Sequence, residues 1–216
     1  MKFSTRVQVL ALGIGSLLPR AIAAQQMPAS PPVLRVSVFD DAGVGIAALR
    51  KAEREASRVF RRANIEVIWL ECPQNSSEQI SFGRCSEVSF PEHLVLRIAR
   101  RSRDAKKSTL GMSFQSGDGK GCYVDLFYEP TLELKTESRI GAAIILGHAM
   151  AHELGHLLLG TNSHSPDGLM RAHWEPGELA QAAKGNLLFS AEESKRMRVR
   201  FTRDDSVHLA DLVRGK

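Results

Sequence analysis

The chain has 216 residues, 43% hydrophobic and 25% charged, with 9 Pro and 17 Gly; this composition excludes a disordered, collagen-like or multi-span membrane protein and leaves one compact domain as the expectation. The formal net charge is +5, but Lys2, Arg6 and Arg20 fall in a segment expected to be removed. The 26 basic and 24 acidic residues that remain are too evenly balanced to argue for a nucleic-acid partner.

Residues 1–24 carry Lys2 and Arg6, then an uncharged stretch from Val7 to Leu18, then Pro19 and the small-residue run Ala21 to Ala24. These are the three parts of a secretory signal peptide, and cleavage is expected after Ala24. At about twelve residues the apolar stretch is too short for a bilayer-spanning helix of ~20 residues. No membrane attachment is therefore expected after cleavage, and the mature chain is expected to be secreted or periplasmic. Residues 25–32, with Pro28, Pro31 and Pro32, suit an extended linker, and 33–216 form the expected domain.

Val33 to Phe39 alternates apolar residues and runs into the turn Asp40 to Gly43, which predicts a strand. Ile46, Leu49, Ala52, Ala56, Val59, Phe60 and Ala63 recur at three and four residues, with Arg50, Lys51, Arg54, Arg58 and Arg61 on the other face, which predicts an amphipathic helix. Ile65 to Leu70 reads as a second strand. Export makes disulfides expected, and Cys72 with Cys85 flank a polar stretch whose closure would contribute about 3 kcal/mol. Of the three possible pairings this is preferred, leaving Cys122 as a buried free thiol in an alternating strand. Leu94 to Ile98, Thr109 to Phe114 and Cys122 to Phe127 are further strands, the last two joined by a turn at Gly117 to Gly121. The cluster Arg97 to Lys107 reads as a solvated turn.

From Ser138 the period changes. Ile140 to Leu159 is too long for a strand and carries three histidines, so it reads as a buried central helix rather than a membrane span. Beyond Gly160 come a loop, a short helix that Pro176 opens and Gly185 closes, and a last helix from Ser190, where Ser190 and Glu193 make a capping box.

The central helix holds His152-Glu153-Leu154-Gly155-His156, the pattern H-E-x-x-H. Two residues four apart on a helix share one face, so both imidazoles can converge on one metal ion. Glu153 is displaced enough to avoid ligation and near enough to take a proton from water acidified by Zn2+. With 7 His in the chain the pattern arises by chance about 0.015 times, so its context matters. Gly160 ends the helix, His164 follows four residues later as a third nitrogen, and Met170 lies six residues beyond it.

His152, Glu153, His156, Gly160, His164 and Met170 resemble the metzincin clan of zinc endopeptidases, whose motif is H-E-x-x-H-x-x-G-x-x-H with a methionine turn below the metal. The close block, Gly147 to Arg171, covers about 25 residues. Here three residues, not two, separate His156 from the glycine, and three, not two, separate Gly160 from His164. The resemblance implies an α+β, zincin-like fold: a small mixed sheet packed on an amphipathic helix and the HExxH helix, then the Met-turn and C-terminal helix. It further implies hydrolysis of a peptide or protein substrate lying along an edge strand such as Thr109 to Phe114. His152, His156 and His164 would bind zinc and Glu153 would be the base. Only Gln25 to Pro32 separates the cleavage site from the first strand, so inhibition by a cysteine-bearing propeptide is not expected. Other assignments stay open. His148 extends the same helix face and reads as a packed core histidine, with an outer or substitute ligand as the alternative. Glu175 or Glu178 could replace His164, as in gluzincins. His93, His173 and His208 read as surface residues. A monomer is expected, and the competing function is a catalytically silent, secreted zinc-binding or protein-interaction module on the same fold.

Overall fold

The computed structural model describes residues 30–73, 84–102 and 105–214. The expected signal peptide and His208's side chain lie outside what is described. Strand β1 (Val33–Asp40) leads through helix α1 (Ile46–Arg62) to β2 (Glu66–Glu71), followed by β3 (His93–Ala99), β4 (Gly111–Phe114) and β5 (Tyr123–Phe127). Helices α2 (Tyr128–Ser138), α3 (Ala142–Leu159), α4 (Pro176–Ala183) and α5 (Ala191–Arg214) complete the chain.

The five strands form one mixed sheet in the order β2-β1-β3-β5-β4. Neighbours are parallel except β4, which pairs antiparallel with β5 at the edge. A parallel pair needs a crossover, and α1 supplies it between β1 and β2. Only the two antiparallel strands can be joined tightly, and the glycine-rich segment Gly117 to Gly121 lies between them, with Gly119 at φ 74°.

Strand alternation sets the core. Leu34, Val36, Val38, Leu94, Leu96, Ile98, Val124 and Leu126 are all buried on one face, and the register Val36↔Leu94, Leu96↔Val124 and Ile98↔Leu126 aligns them. Against them lie α1, through Leu49, Ala52, Ala56, Val59 and Phe60, and the almost wholly buried α3. Each fully buried side chain of the size of Phe60 or Leu96 contributes roughly 1.5–3 kcal/mol. Gly147 permits α3 to cross α1 closely, since a Cβ there would stand 2.5 Å from the Ala52 carbonyl oxygen. The helix α3 is apolar and long enough to cross a membrane, but 83% of it is buried inside the protein, as expected of a core helix.

Cys72 and Cys85 form the expected disulfide, and Cys122 is free and half-buried. That bond is compatible with an extracellular location. Two expectations need correction, and one helix was not expected. His93 is not a surface residue: it is 5% exposed and hydrogen-bonds through Nε2 to the buried Ser37 hydroxyl at 2.8 Å. The Arg97 to Lys107 region is not simply a solvated turn. Arg97 pairs with Asp41 and Asp125, and Arg101 bridges Glu129 and Glu133 of α2. Helix α2 itself has no counterpart in the sequence reading.

Candidate metal centre

His152 and His156 lie one turn apart on α3, 7% and 3% exposed. Their orientations are fixed by the backbone of the segment that follows. The His152 Nδ1 bonds the Leu169 carbonyl at 2.8 Å, and the His156 Nδ1 bonds the Thr161 carbonyl at 2.8 Å. The second contact follows from how the helix ends. Gly160 takes the left-handed conformation (φ 66°) and reverses the chain, so Thr161 returns over the last turn, its N–H bonding back to the His156 carbonyl.

With both Nδ1 atoms donating to carbonyls, each imidazole presents an Nε2 lone pair, and these two atoms stand 3.1 Å apart. Two lone pairs so placed repel unless a cation lies between them. The spacing is close to the roughly 3.3 Å between two nitrogens of a tetrahedral zinc site with 2.0–2.1 Å bonds. Burial holds the rings neutral, which is the ligating form. It lowers the His152 pKa to about 3, aided by the neighbouring histidines, and lowers His156, where the Thr161 bond and the Glu193 charge oppose it.

His164 arrives from the loop, exposed to solvent. Its ring packs 5.4 Å from that of His152 and 4.8 Å from that of His156. The ligand atoms of all three lie within 4.8 Å of one another, so the three histidines could hold a metal ion. Met170 is 1% exposed, and a Cβ on Gly155 would come 3.0 Å from its Sδ, so it packs under the helix between the two helical histidines.

Other residues fall outside this group. His148 is fully buried, its Nδ1 on the Ile144 carbonyl at 2.8 Å and its Nε2 3.8 Å from Glu55, so it packs rather than joining the cluster. Glu178 is committed to Arg171 at 2.9 Å and to the Glu175 N–H at the start of α4. His173 is exposed.

Glu153 is 7% exposed, and burial pushes its carboxyl up to about 8. It lies against β4: a Cβ on Gly111 would stand 2.6 Å from the Glu153 Cγ. A cavity of about 420 Å³ opens here, lined by Glu153, His152, His164, Gly111, Leu134 of α2 and Trp174, among others. β4 is tied to the helix end as well, by Gln115 Nε2 donating to the His156 carbonyl at 2.7 Å.

Several contributors escaped the sequence reading. The Leu169 and Thr161 carbonyls carry no side-chain signal. Trp174, whose Nε1 donates to the same Leu169 oxygen at 3.1 Å and whose ring meets His152 edge-on, could not be placed without the loop geometry.

No protein-family model matches the sequence, and no curated protein matches it. Among solved structures the chain is similar to a zinc-dependent peptidase from Methanocorpusculum labreanum (strain Z), over 75% of this chain and 99% of that one, at 13% identity and a TM-score of 0.47. The likeness is loose, so weight falls on this chain's own side chains.

Proposed function

We propose that the protein is a secreted zinc-dependent peptidase of the zincin type, metzincin-like in its third histidine and its methionine. The reading is carried by one observation: two imidazoles with their Nδ1 atoms committed to carbonyls aim their Nε2 atoms at one point, beside a buried carboxyl that opens into a cavity. His152, His156 and His164 would hold the metal. Zinc, when bound, supplies Lewis acidity toward a carbonyl oxygen and acidifies water.

The protein supplies the rest. Glu153 takes the proton of the attacking water on its carboxylate and returns it to the leaving amine. Its buried position keeps bulk water from competing for that proton, and a nearby dication favours its ionised form over the neutral form that burial alone prefers. The edge strand β4, paired only with β5 among the described residues, offers its outer edge to an extended peptide, and Gly111 lets the Glu153 side chain pack directly against that strand. The cavity gives a neighbouring substrate side chain room beside the metal. This access favours catalysis over the silent binding module. The peptide or protein substrate is the one partner proposed, and the chain acts as a monomer.

The test is metal analysis of the oxidised chain from Gln25, joined to peptide-library hydrolysis with and without a zinc chelator. About one zinc per chain, with cleavage lost on chelation and restored by zinc, is the expected result. Zinc without any cleavage would leave the silent module, and no zinc at neutral pH would remove both readings.

A further inference from the structure

His152 and His156 are each fixed at the ring nitrogen opposite the metal position, whereas His164 has no such anchor: among the described residues no hydrogen bond holds its ring, and it is exposed. It also sits on a loop two residues longer, counted from His156, than the motif it resembles. Something must fix where that loop carries it. The next residue is the answer. The Ser165 N–H donates to the Met170 carbonyl at 2.9 Å, which closes the loop on itself. The Ser165 hydroxyl donates to Glu193 Oε1, 28 residues away on the first turn of α5.

Glu193 is itself 7% exposed. Its other oxygen, Oε2, accepts the Ser190 N–H at 2.8 Å, and its own N–H donates to the Ser190 hydroxyl at 3.2 Å. A capping box needs one carboxylate oxygen. Here the second oxygen reaches out of the cap to the residue beside the third histidine, so one buried side chain ties the start of α5 to the His164 loop.

We propose that Ser165 and Glu193 are positioning residues that set the third metal ligand, compensating for the wider spacing between His156 and His164. The proposal rests on the three-histidine reading above. Residues that orient metal ligands without touching the metal change affinity by about 10- to 100-fold when removed. Ser165→Ala deletes the contact to Glu193 while leaving the α5 cap whole, which makes it the cleanest probe.

Zinc affinity of the full oxidised chain would be measured by competition with a chromogenic chelator, for wild type, Ser165→Ala, Ser165→Thr, His164→Ala and the double variant Ser165→Ala with His164→Ala. The expected result is a 10- to 100-fold loss in Ser165→Ala, recovery in Ser165→Thr, which keeps the hydroxyl, and no further loss when Ser165→Ala is added to His164→Ala. That last comparison separates positioning from general stability, since a merely structural contact would weaken binding equally in both backgrounds. Wild-type affinity in Ser165→Ala, or an equal loss without His164, overturns the proposal while leaving the metal site standing. A wild-type chain that takes up no zinc overturns both.

Discussion

Two buried glutamates make an instructive pair. Glu53 on α1 is 5% exposed and Glu153 on α3 is 7% exposed, and burial pushes the first carboxyl up to about 7 and the second to about 8. The perturbation has the same cause in both, namely loss of water around a charge. Their surroundings differ. Glu153 lines a cavity beside the imidazoles of His152 and His164. Glu53 Oε1 has no hydrogen-bond partner among the described residues, and the negative charge of Glu71 raises it further while Arg50 and Arg54 oppose the rise. Arg50, about one helical turn before Glu53, spends its guanidinium on Glu71 at 3.0 Å. A raised carboxyl pKa therefore marks burial; only what faces the carboxyl assigns it chemistry.

Glu153→Gln is where the contrast should be greatest. The amide keeps the shape and removes the proton acceptor, so peptide hydrolysis should fall by about 10²- to 10⁴-fold with zinc content unchanged. Steady-state rates and metal analysis on the same preparation decide the matter. Undiminished turnover would make Glu153 a second Glu53, buried without a role in the reaction.

Glu53→Gln should do the reverse, acting on stability and not on hydrolysis. Because the folded-state pKa of about 7 lies above the ordinary 4.5, the folded protein holds this proton more tightly than the unfolded chain. Stability from this group is therefore fully present below pH 4.5, is lost as pH rises from 4.5 to 7, and stays lost above. The glutamine variant should gain about 1–3 kcal/mol at pH 8 and almost nothing at pH 4. Urea unfolding of both chains at the two pH values reads this difference. An equal effect at pH 4 and pH 8 would place the Glu53 carboxyl in water after all.

The two glutamates were unequally visible in the sequence, and the reason extends to the whole fold. Glu153 stands in a spaced pattern whose geometry is fixed by 3.6 residues per turn, so the helix, its two histidines and the glutamate between them could be read together. The strands were legible because period-two alternation survives wherever one face is buried, as in Leu34, Val36 and Val38. Glu53 had a signal that the residue's charge obscured: it falls in the stripe Leu49, Glu53, Ala56, Phe60 at helical spacing, on the buried face of α1. Helix α2 offered none. Its buried residues are only Pro130 and Thr131, and Leu132 is exposed, so no apolar stripe announces it. The ion pairs that join it to Arg101 link residues 28 and 32 positions apart, beyond any local pattern. The loop to His164 was the other limit. A helix converts spacing into distance, but a loop does not, and the position of His164 depends on carbonyls and on contacts such as Ser165 to Glu193 that no spacing encodes.

The smallest expected effect tests whether the surroundings of Glu153 matter as much as its charge. Gly111 on β4 has ordinary backbone geometry, since it is not among the positive-φ glycines, so alanine there carries no left-handed strain. On unfolded-chain entropy alone the change would stabilise by about 0.4–1 kcal/mol. The new Cβ, however, would stand 2.6 Å from Glu153 Cγ and 2.7 Å from Leu126 Cδ2. Leu126 is fully buried in the sheet and has little room to yield, so the glutamate, which faces the cavity, is the side chain that moves. A shift of that kind in a proton acceptor costs about ten- to hundredfold in turnover while His152 and His156, held by their carbonyls, keep the metal. Gly111→Ala should therefore lower kcat with zinc affinity unchanged. A variant as active as the wild type would mean that Glu153 can work from a displaced position, and that β4 does not govern its placement.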